Sequence, residues 1–402
     1  MTDTQLRKAQ GVPPRPPDDE FERRIERVYD VLDEHGVDGV VVYGTGSTPD
    51  PIRYLTGYVH VFPRARSLLI LPRQSDPILL IDREWHRSDA ERMTWIDDVR
   101  TVPADFGAEH GSLRRRLEGA LSDTGLDGGN VAFPDLELPA VLWQAFAELP
   151  GSTQFSVLDA LWPALVTDPT PYDAELIRET AAIADAGLEA FVSACRPGAT
   201  EREVCFEALE AMAELGAEFL HGNTISTHVD VGSFSRTRSN LQPYLHTETE
   251  LEPGEMFWVD LIVCHDGYYV DCDRTICIGD PSAEQRALYE VCREMYEAML
   301  EAIEPGVPGH AVWEAGHEIA RTAGHQDRLN AIYLGHSIGT TISSPPTIRE
   351  GETRKLRHGQ FLNIEPGIIL PEIGSACIEN TIRVTEGGSE PINEMDVGLR
   401  IV

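Results

Sequence analysis

The residues best suited to chemistry lie in one stretch, Met256-Phe-Trp-Val-Asp260-Leu-Ile-Val-Cys264-His265-Asp266-Gly267-Tyr268-Tyr269-Val-Asp271-Cys-Asp273-Arg274-Thr275. Two strand-like runs flank Cys264-His265-Asp266-Gly267, a turn signal. A turn centred on His265-Asp266 places Asp260 directly opposite Asp271. Cross-strand partners hold their Cβ atoms about 4.5–5.5 Å apart on one face. Two carboxylates so placed repel each other unless a proton or a cation sits between them. Phe257, Val259 and Leu261 take the opposite face and supply apolar packing.

An acidic pair on a strand is often no more than a solvated face, and three later segments weigh against that here. Gly335-His336-Ser337-Ile338-Gly339 holds one histidine between glycines in a strand-length run. Asn363-Ile364-Glu365-Pro366-Gly367 sets a carboxylate among apolar residues before a turn. Ile378-Glu379-Asn380-Thr381-Ile382-Arg383-Val384 puts another at the start of a β-branched strand. Asp260, Asp271, His336, Glu365 and Glu379 form an oxygen-rich set of ligands. Such a set suits two divalent ions sharing carboxylates, with Mn, Co, Fe or Zn favoured over a thiolate-selected metal.

Composition limits the partners. The chain has 402 residues, 67 acidic against 33 basic, for a net charge of −34, and its only lysines are Lys8 and Lys355. So negative a surface repels nucleic acid and anionic membranes. It is tolerable where salt shortens the Debye length to about 3 Å, which points to a halophile's cytoplasm. No apolar run approaches the ~20 residues of a membrane span, and the first residues lack the apolar region of a signal peptide or anchor. The seven cysteines form no metal or redox spacing, so buried free thiols are expected.

The elements that must position these groups divide in two. Residues 1–18 carry four prolines and read as a flexible arm. From Phe21, apolar residues at Ile25, Val28 and Leu32 mark a helix that stops at Gly36. Short β-branched runs at Gly39–Val42, Ser67–Leu71 and Pro77–Ile81 alternate with helical stretches near 87–93, 111–122 and 138–148. That alternation reads as an α/β domain over 19–163. The segment Pro163–Pro171, with three prolines and no periodicity, reads as a linker to a domain over 164–402. There, helices are expected from Tyr172 to Cys195, after a Thr200/Glu203 capping box, at 284–303 and at 309–323. Strands follow.

The order Asp–x10–Asp-x-x-Arg-Thr, Gly-His-x-x-Gly, Glu-Pro-Gly, Glu-Asn-Thr resembles the methionine aminopeptidase/prolidase/creatinase superfamily, the pita-bread fold. Tyr54-Leu-Thr-Gly-Tyr58 and Arg196-Pro-Gly-Ala-Thr-Glu201 extend the resemblance over nearly the whole chain. It implies an α/β creatinase-like N-terminal domain before an α+β pita-bread catalytic domain. It also implies a dinuclear centre in which Asp260 chelates one ion, Asp271 and Glu379 bridge, and His336 and Glu365 complete the other. Glu365 would also be the acid/base for the attacking water.

Two substrate histidines of the peptidases are altered. Counting back from Asp260 lands near Pro243, with His246 close by and His228 and His221 weaker candidates; the second histidine's place is taken by Ser343. The glycine usual after the metal histidine is Ser337. Creatinase loses metal carboxylates instead, so retained ligands argue against a metal-free amidinohydrolase.

The reading is therefore a metal-dependent hydrolase of a C–N bond, Xaa-Pro dipeptidase- or aminopeptidase-like, with His246 as the substrate histidine. Its partners would be a small-molecule or short-peptide substrate and a second copy in a homodimer, with neither nucleic acid nor membrane. One alternative is a metal-dependent C–S lyase resembling the dimethylsulfoniopropionate lyases. Those keep the ligands and lack both histidines, and Arg236-Thr-Arg238-Ser-Asn240 resembles them, but their proposed base falls at Ile342. A further alternative is a non-catalytic binding protein. Asp273 shares a face with Asp271 where the family usually has Thr, which offers two roles, an extra ligand or, more ordinarily, a charge partner for an arginine. Arg274 is expected to anchor the hairpin by a salt bridge, and Trp258, Tyr268, Tyr269 and Tyr333 to pack or line a pocket. His310, His317 and His325 are expected on helices as surface or packing residues.

Overall fold

The computed structural model describes residues 15–46, 50–60, 64–102, 110–135, 138–218, 229–234, 248–329 and 331–402. Contacts divide the chain into two compact units, one ending at Leu165 and one beginning at Val166. Most of the expected arm, residues 1–14, lies outside the described residues.

The first unit opens with α1 (Asp18–His35), which buries Phe21, Ile25, Val28 and Leu32 and ends at Gly36 with φ 64°. Left-handed backbone of this kind suits glycine at a helix C-terminus. The chain then runs through β1 (Gly39–Thr45), α2 (Asp50–Thr56), β2 (Arg66–Pro72), β3 (Ile78–Ile81), α3 (Arg87–Met93), β4 (Asp98–Thr101), α4 (His110–Asp123), β5 (Asn130–Phe133), α5 (Ala140–Ala147), β6 (Gln154–Val157) and α6 (Leu161–Val166). The strands form one sheet in the order β4-β3-β2-β1-β5-β6. Val40, Val42, Leu69 and Leu71 pack on one face, Val41, Leu68 and Ile70 on the other. Burial on both faces explains the uninterrupted apolar runs. The segment expected to be an irregular linker is in part α6. Pro163 lies in its first turn, where the missing N–H breaks no helical bond.

In the second unit, α7 (Pro171–Ala194) and α8 (Glu201–Glu214) start from capping boxes at Thr170/Asp173 and Thr200/Glu203. After β7 (Val229–Phe234) come β8 (Met256–His265), β9 (Tyr268–Cys277), α9 (Ala283–Glu301), α10 (Gly309–Thr322), β10 (Tyr333–Ser337), β11 (Ser344–Arg349), β12 (Phe361–Ile364), β13 (Gly367–Leu370), β14 (Gly374–Cys377), β15 (Asn380–Thr385), β16 (Gly388–Pro391) and β17 (Arg400–Ile401). They build sheets β17-β9-β8-β7 and β11-β10-β12-β15-β16 and the pair β13-β14. The inward residues of α7 and α8 join Phe257, Val259 and Leu261 of β8 in one core. A second core packs α9 and α10 against Leu334, Leu362 and Ile382. Each sheet therefore has an apolar side closed by helices, which leaves its other side for polar groups. Among the described residues, no helix is long and apolar enough to cross a membrane.

Candidate metal centre

The β8–β9 hairpin brings three carboxylates to one face, in a register that corrects the expected one. Asp260 pairs with Asp273, and Asp271 pairs with Ile262. The turn centres on Asp266-Gly267, where φ is 47° and 85°. Positive φ at both central residues is the two-residue hairpin turn whose twist matches the strands. Because the pairing slips by two residues rather than one, the period-two rule keeps Asp260 and Asp271 on a common face. Asp271 is Asp260's diagonal neighbour, and Asp273 its direct one.

The remaining side chains come from the other sheet. His336 lies on β10, Glu365 follows β12 and Glu379 precedes β15. Ligand atoms of Asp271, His336 and Glu379 lie within 4.8 Å of one another, as do those of Asp260, Asp271, Asp273 and Glu379. Glu365 Oε1 is 3.5 Å from His336 Nε2. All five expected ligands therefore converge. Gly335 makes room for this: a Cβ there would stand 2.2 Å from the Asn363 carbonyl oxygen, on the neighbouring strand.

Neighbours fix the orientation of the cluster. The Asn363 amide donates to Glu379 Oε1 at 2.9 Å, and the Thr381 hydroxyl donates to Asn363 Oδ1 at 2.7 Å. His336 Nδ1 lies 3.1 Å from the Ser337 carbonyl, which makes Nδ1 the protonated nitrogen and leaves Nε2 a lone pair facing Glu365. Sequence reasoning quoted Asn363 and Thr381 within motifs but gave them no role. Their signal was a polar residue in each of two otherwise apolar strands.

Arg274 does not form the expected salt bridge. Its guanidinium donates to the carbonyls of Asp273, Glu379, Met395 and Asp396 and to Asn380 Oδ1. A guanidinium has five N–H groups, and these bonds use them all. It ties the hairpin to the strand entrance at Glu379 and to the C-terminal loop. Asp273 therefore faces the carboxylates instead of an arginine.

The electrostatics follow from crowding acids out of water. Burial raises the Asp271 carboxyl well above the usual range, and the charges of Glu379 and Asp260 add to it. Asp273 rises for the same first reason, then through Asp260 and Asp271. Glu379 is raised by burial and then by Asp273. Burial and Asp260 push Glu365 to about 8. Burial lowers His336 to about 4, so the imidazole is neutral.

These residues fit a cation pair. Asp271 Oδ1, Asp273 Oδ1 and Glu365 Oε1 are buried without a hydrogen-bond partner. Two unit charges within about 5 Å repel by roughly 3 kcal/mol or more at an effective dielectric of about 20. Ionising the whole cluster without a counter-charge would consume most of the 5–15 kcal/mol by which a typical domain is stable. The two ligand groups share Asp271 and Glu379, as two ions bridged by carboxylates require. Oxygen donors with one imidazole suit Mn, Fe, Co or Zn. Burial raises the nearby Cys272 and Cys377 thiols, which keeps them from serving as thiolates. All seven cysteines are buried thiols outside any disulfide.

His246, with His221, His228, Arg236, Arg238 and Pro243, lies outside the described residues. Ser343 is exposed and Ile342 half-buried. Ser337 is buried and accepts from the Gln360 amide at 2.6 Å. Trp258, Tyr268 and Tyr269 are core residues, and the Tyr268 hydroxyl donates to Asp173 Oδ1 at 2.5 Å. Half-buried Tyr333 packs edge-on to His336 with ring centres 6.1 Å apart. His310 and His317 stack on Trp313 along α10, while His325 follows that helix.

Comparison with known proteins agrees with this geometry. The profile of metallopeptidase family M24 matches residues 175–386, and that of the creatinase/prolidase N-terminal domain matches 24–162. The Xaa-Pro dipeptidase of Lactobacillus helveticus is 30% identical over 362 residues, covering 89% of this chain and 94% of that protein. The Xaa-Pro dipeptidase of Pyrococcus furiosus is 24% identical over 376 residues, covering 94% and 99%. Among solved structures, an Xaa-Pro dipeptidase from Bacillus anthracis superposes with a TM-score of 0.80 at 24% identity, covering 95% and 100%. The prolidase from Pyrococcus horikoshii gives 0.77 at 21%, covering 93% and 99%. The fold is thus a creatinase-type N-terminal domain joined to a pita-bread domain.

The chain belongs to metallopeptidase family M24. It is a metal-dependent peptidase of a family whose enzymes use two divalent ions, and neither the lyase nor the non-catalytic alternative finds support among these relatives.

Proposed function

We propose that this peptidase hydrolyses short Xaa-Pro peptides, with Asp260, Asp271, His336, Glu365 and Glu379 holding two divalent ions. The observation that carries the reading is the pair of overlapping ligand groups sharing Asp271 and Glu379. The substrate follows from the Xaa-Pro dipeptidases that the chain resembles over most of its length. Bound ions would supply Lewis acidity, bringing water's pKa toward ~7 and stabilising charge on the scissile carbonyl.

The chain's own residues would do the rest. Glu365 has a buried oxygen without a hydrogen-bond donor and a proton affinity raised toward neutrality. In this reading it would take a proton from the attacking water and return it to the leaving amine. His336 stays neutral, and Asn363 with Thr381 holds Glu379 in place. His246 is assigned to the substrate; His246→Ala is expected to raise KM or lower kcat without loss of bound metal.

The reading extends to manganese as the working ion, supported by the oxygen-rich donors, and to a high-salt cytoplasm, supported by the charge of −34. A homodimer is the assembly the resemblance implies, and sedimentation in molar KCl tests it. The deciding assay is a panel of Xaa-Pro peptides in molar KCl with Mn, beside a dimethylsulfide headspace measurement. Cleavage that disappears in Glu365→Ala with the fold retained is the expected result. Cleavage surviving that substitution removes Glu365 as the acid/base.

A further inference from the structure

We propose that Asp273 is a sixth metal ligand, a further carboxylate at the ion site that contains no imidazole. The inference rests on the dinuclear reading above and goes beyond its five ligands. Asp273 sits directly opposite Asp260 across the hairpin. Its backbone exchanges two hydrogen bonds with Glu379, N–H to O at 3.3 Å and 3.2 Å, which holds the two side chains next to each other across the two sheets.

Burial and donor accounting separate a ligand from a bystander. Asp273 is 3% exposed, and its Oδ1 is buried with no hydrogen-bond partner. The adjacent Arg274 has no donor left for it. Its ligand atom belongs to the group with Asp260, Asp271 and Glu379, whereas His336 belongs to the other. A site of carboxylates alone favours hard, oxygen-seeking Mn²⁺, while imidazole adds affinity for Zn²⁺. Asp273 thereby strengthens the hold on Mn²⁺ at one position only.

The test uses metal binding and melting instead of turnover. The full chain, stripped of metal, is titrated calorimetrically with MnCl₂ and separately with ZnCl₂, beside Asp273→Asn and Asp273→Ala. The wild-type chain is expected to take up about two Mn²⁺. The variants are expected to lose at least tenfold in Mn²⁺ affinity at one site, with Zn²⁺ at the other unchanged within threefold. Metal-free Asp273→Asn is expected to melt higher than metal-free wild type, since one carboxylate leaves an unneutralised cluster. Mn²⁺ affinities within threefold of wild type at both sites, or equal weakening of both, overturn the proposal. So does a metal-free melting point lowered in both variants, which would make Asp273 a structural carboxylate. A wild-type chain that binds no Mn²⁺ overturns the dinuclear reading itself, an outcome the variants cannot mimic.

Discussion

Two groups of buried carboxylates, one in each unit, are neutralised in opposite ways. In the first, Glu20 and Arg24 are both fully buried, with Glu20 Oε1 3.0 Å from Arg24 Nε. The same guanidinium donates to the Tyr54 carbonyl at 2.9 Å and lies 4.0 Å from the centre of the Tyr54 ring. In the second, Arg274 is buried as deeply, yet its donors all go to carbonyls and Asn380. Asp271, Asp273, Glu365 and Glu379 have no ion pair to lysine or arginine among the described residues. The Glu20 site carries its own counter-charge, and the cluster around Asp271 is built to receive one from solution. The contrast separates a carboxylate kept for stability from carboxylates kept for chemistry.

The strongest challenge to this contrast is metal removal. An ion present at a thousandfold its Kd stabilises the folded state by about 4 kcal/mol. In a unit of this size each kcal/mol moves the melting point by about 2–4 °C. Chelation should therefore lower the second unit's transition by roughly 10 °C or more and leave the first unit's in place. Scanning calorimetry with and without chelator reads both. Equal shifts in the two transitions would erase the distinction.

Arg24→Met attacks the other side of the comparison. Removing the buried partner of Glu20, with Arg23 still 3.1 Å from its other oxygen, should destabilise the first unit by up to about 3 kcal/mol. The loss should be the same with and without Mn²⁺. Denaturant melts of the variant in both conditions check this, and a loss that metal restores would contradict it.

Asn363→Ala sharpens the second side. Removing the amide that positions Glu379 should reduce metal affinity or activity about 10- to 100-fold, as loss of such supporting bonds commonly does. Metal titration of the variant measures it. Affinity and activity both within threefold of wild type would mean that the cluster is held by backbone alone.

Much of this site was legible because its residues are polar exceptions in apolar strands. Asp260, Asp271, His336 and Glu379 each interrupt a run that otherwise reads as core, and period-two alternation assigns their faces. The register was missed for a local reason. Asp266-Gly267 is itself a two-residue hairpin signal, and a turn centred one residue earlier displaces the partner while preserving the face. Asp273 was open to two readings, a ligand or the charge partner of an arginine, and the sequence favoured the second. Only the folded chain shows that the guanidinium's donors are occupied. The first unit's short strands β4 and β6 were passed over because Asp98–Thr101 and Gln154–Val157 mix polar and apolar residues over a single turn of pleat, whereas the equally short β3 is apolar throughout.

The smallest expected effect concerns pH, and its sign follows from the cluster. Burial raises the folded-state proton affinity of Glu365 to about 8, above its unfolded value of 4.5, and raises Asp271, Asp273 and Glu379 in the same direction. Without metal, the folded chain thus holds protons that the unfolded chain has released. The stability this confers is complete below pH 4.5 and is lost as pH rises through about 8. His336 acts oppositely, being lowered from 6.5 to about 4, but its contribution is confined below pH 6.5. Between pH 6.5 and 8, then, metal-free stability should fall with rising pH, by at most about 1.4 kcal/mol per pH unit for each proton. With Mn²⁺ bound, the carboxylates are already ionised and binding strengthens as protons leave, so the decline should vanish or reverse. Melting the second unit across this range, with and without Mn²⁺, reads the difference. A metal-free slope that is flat or positive would mean that the buried acids carry a counter-charge after all, and the two units would no longer differ in kind.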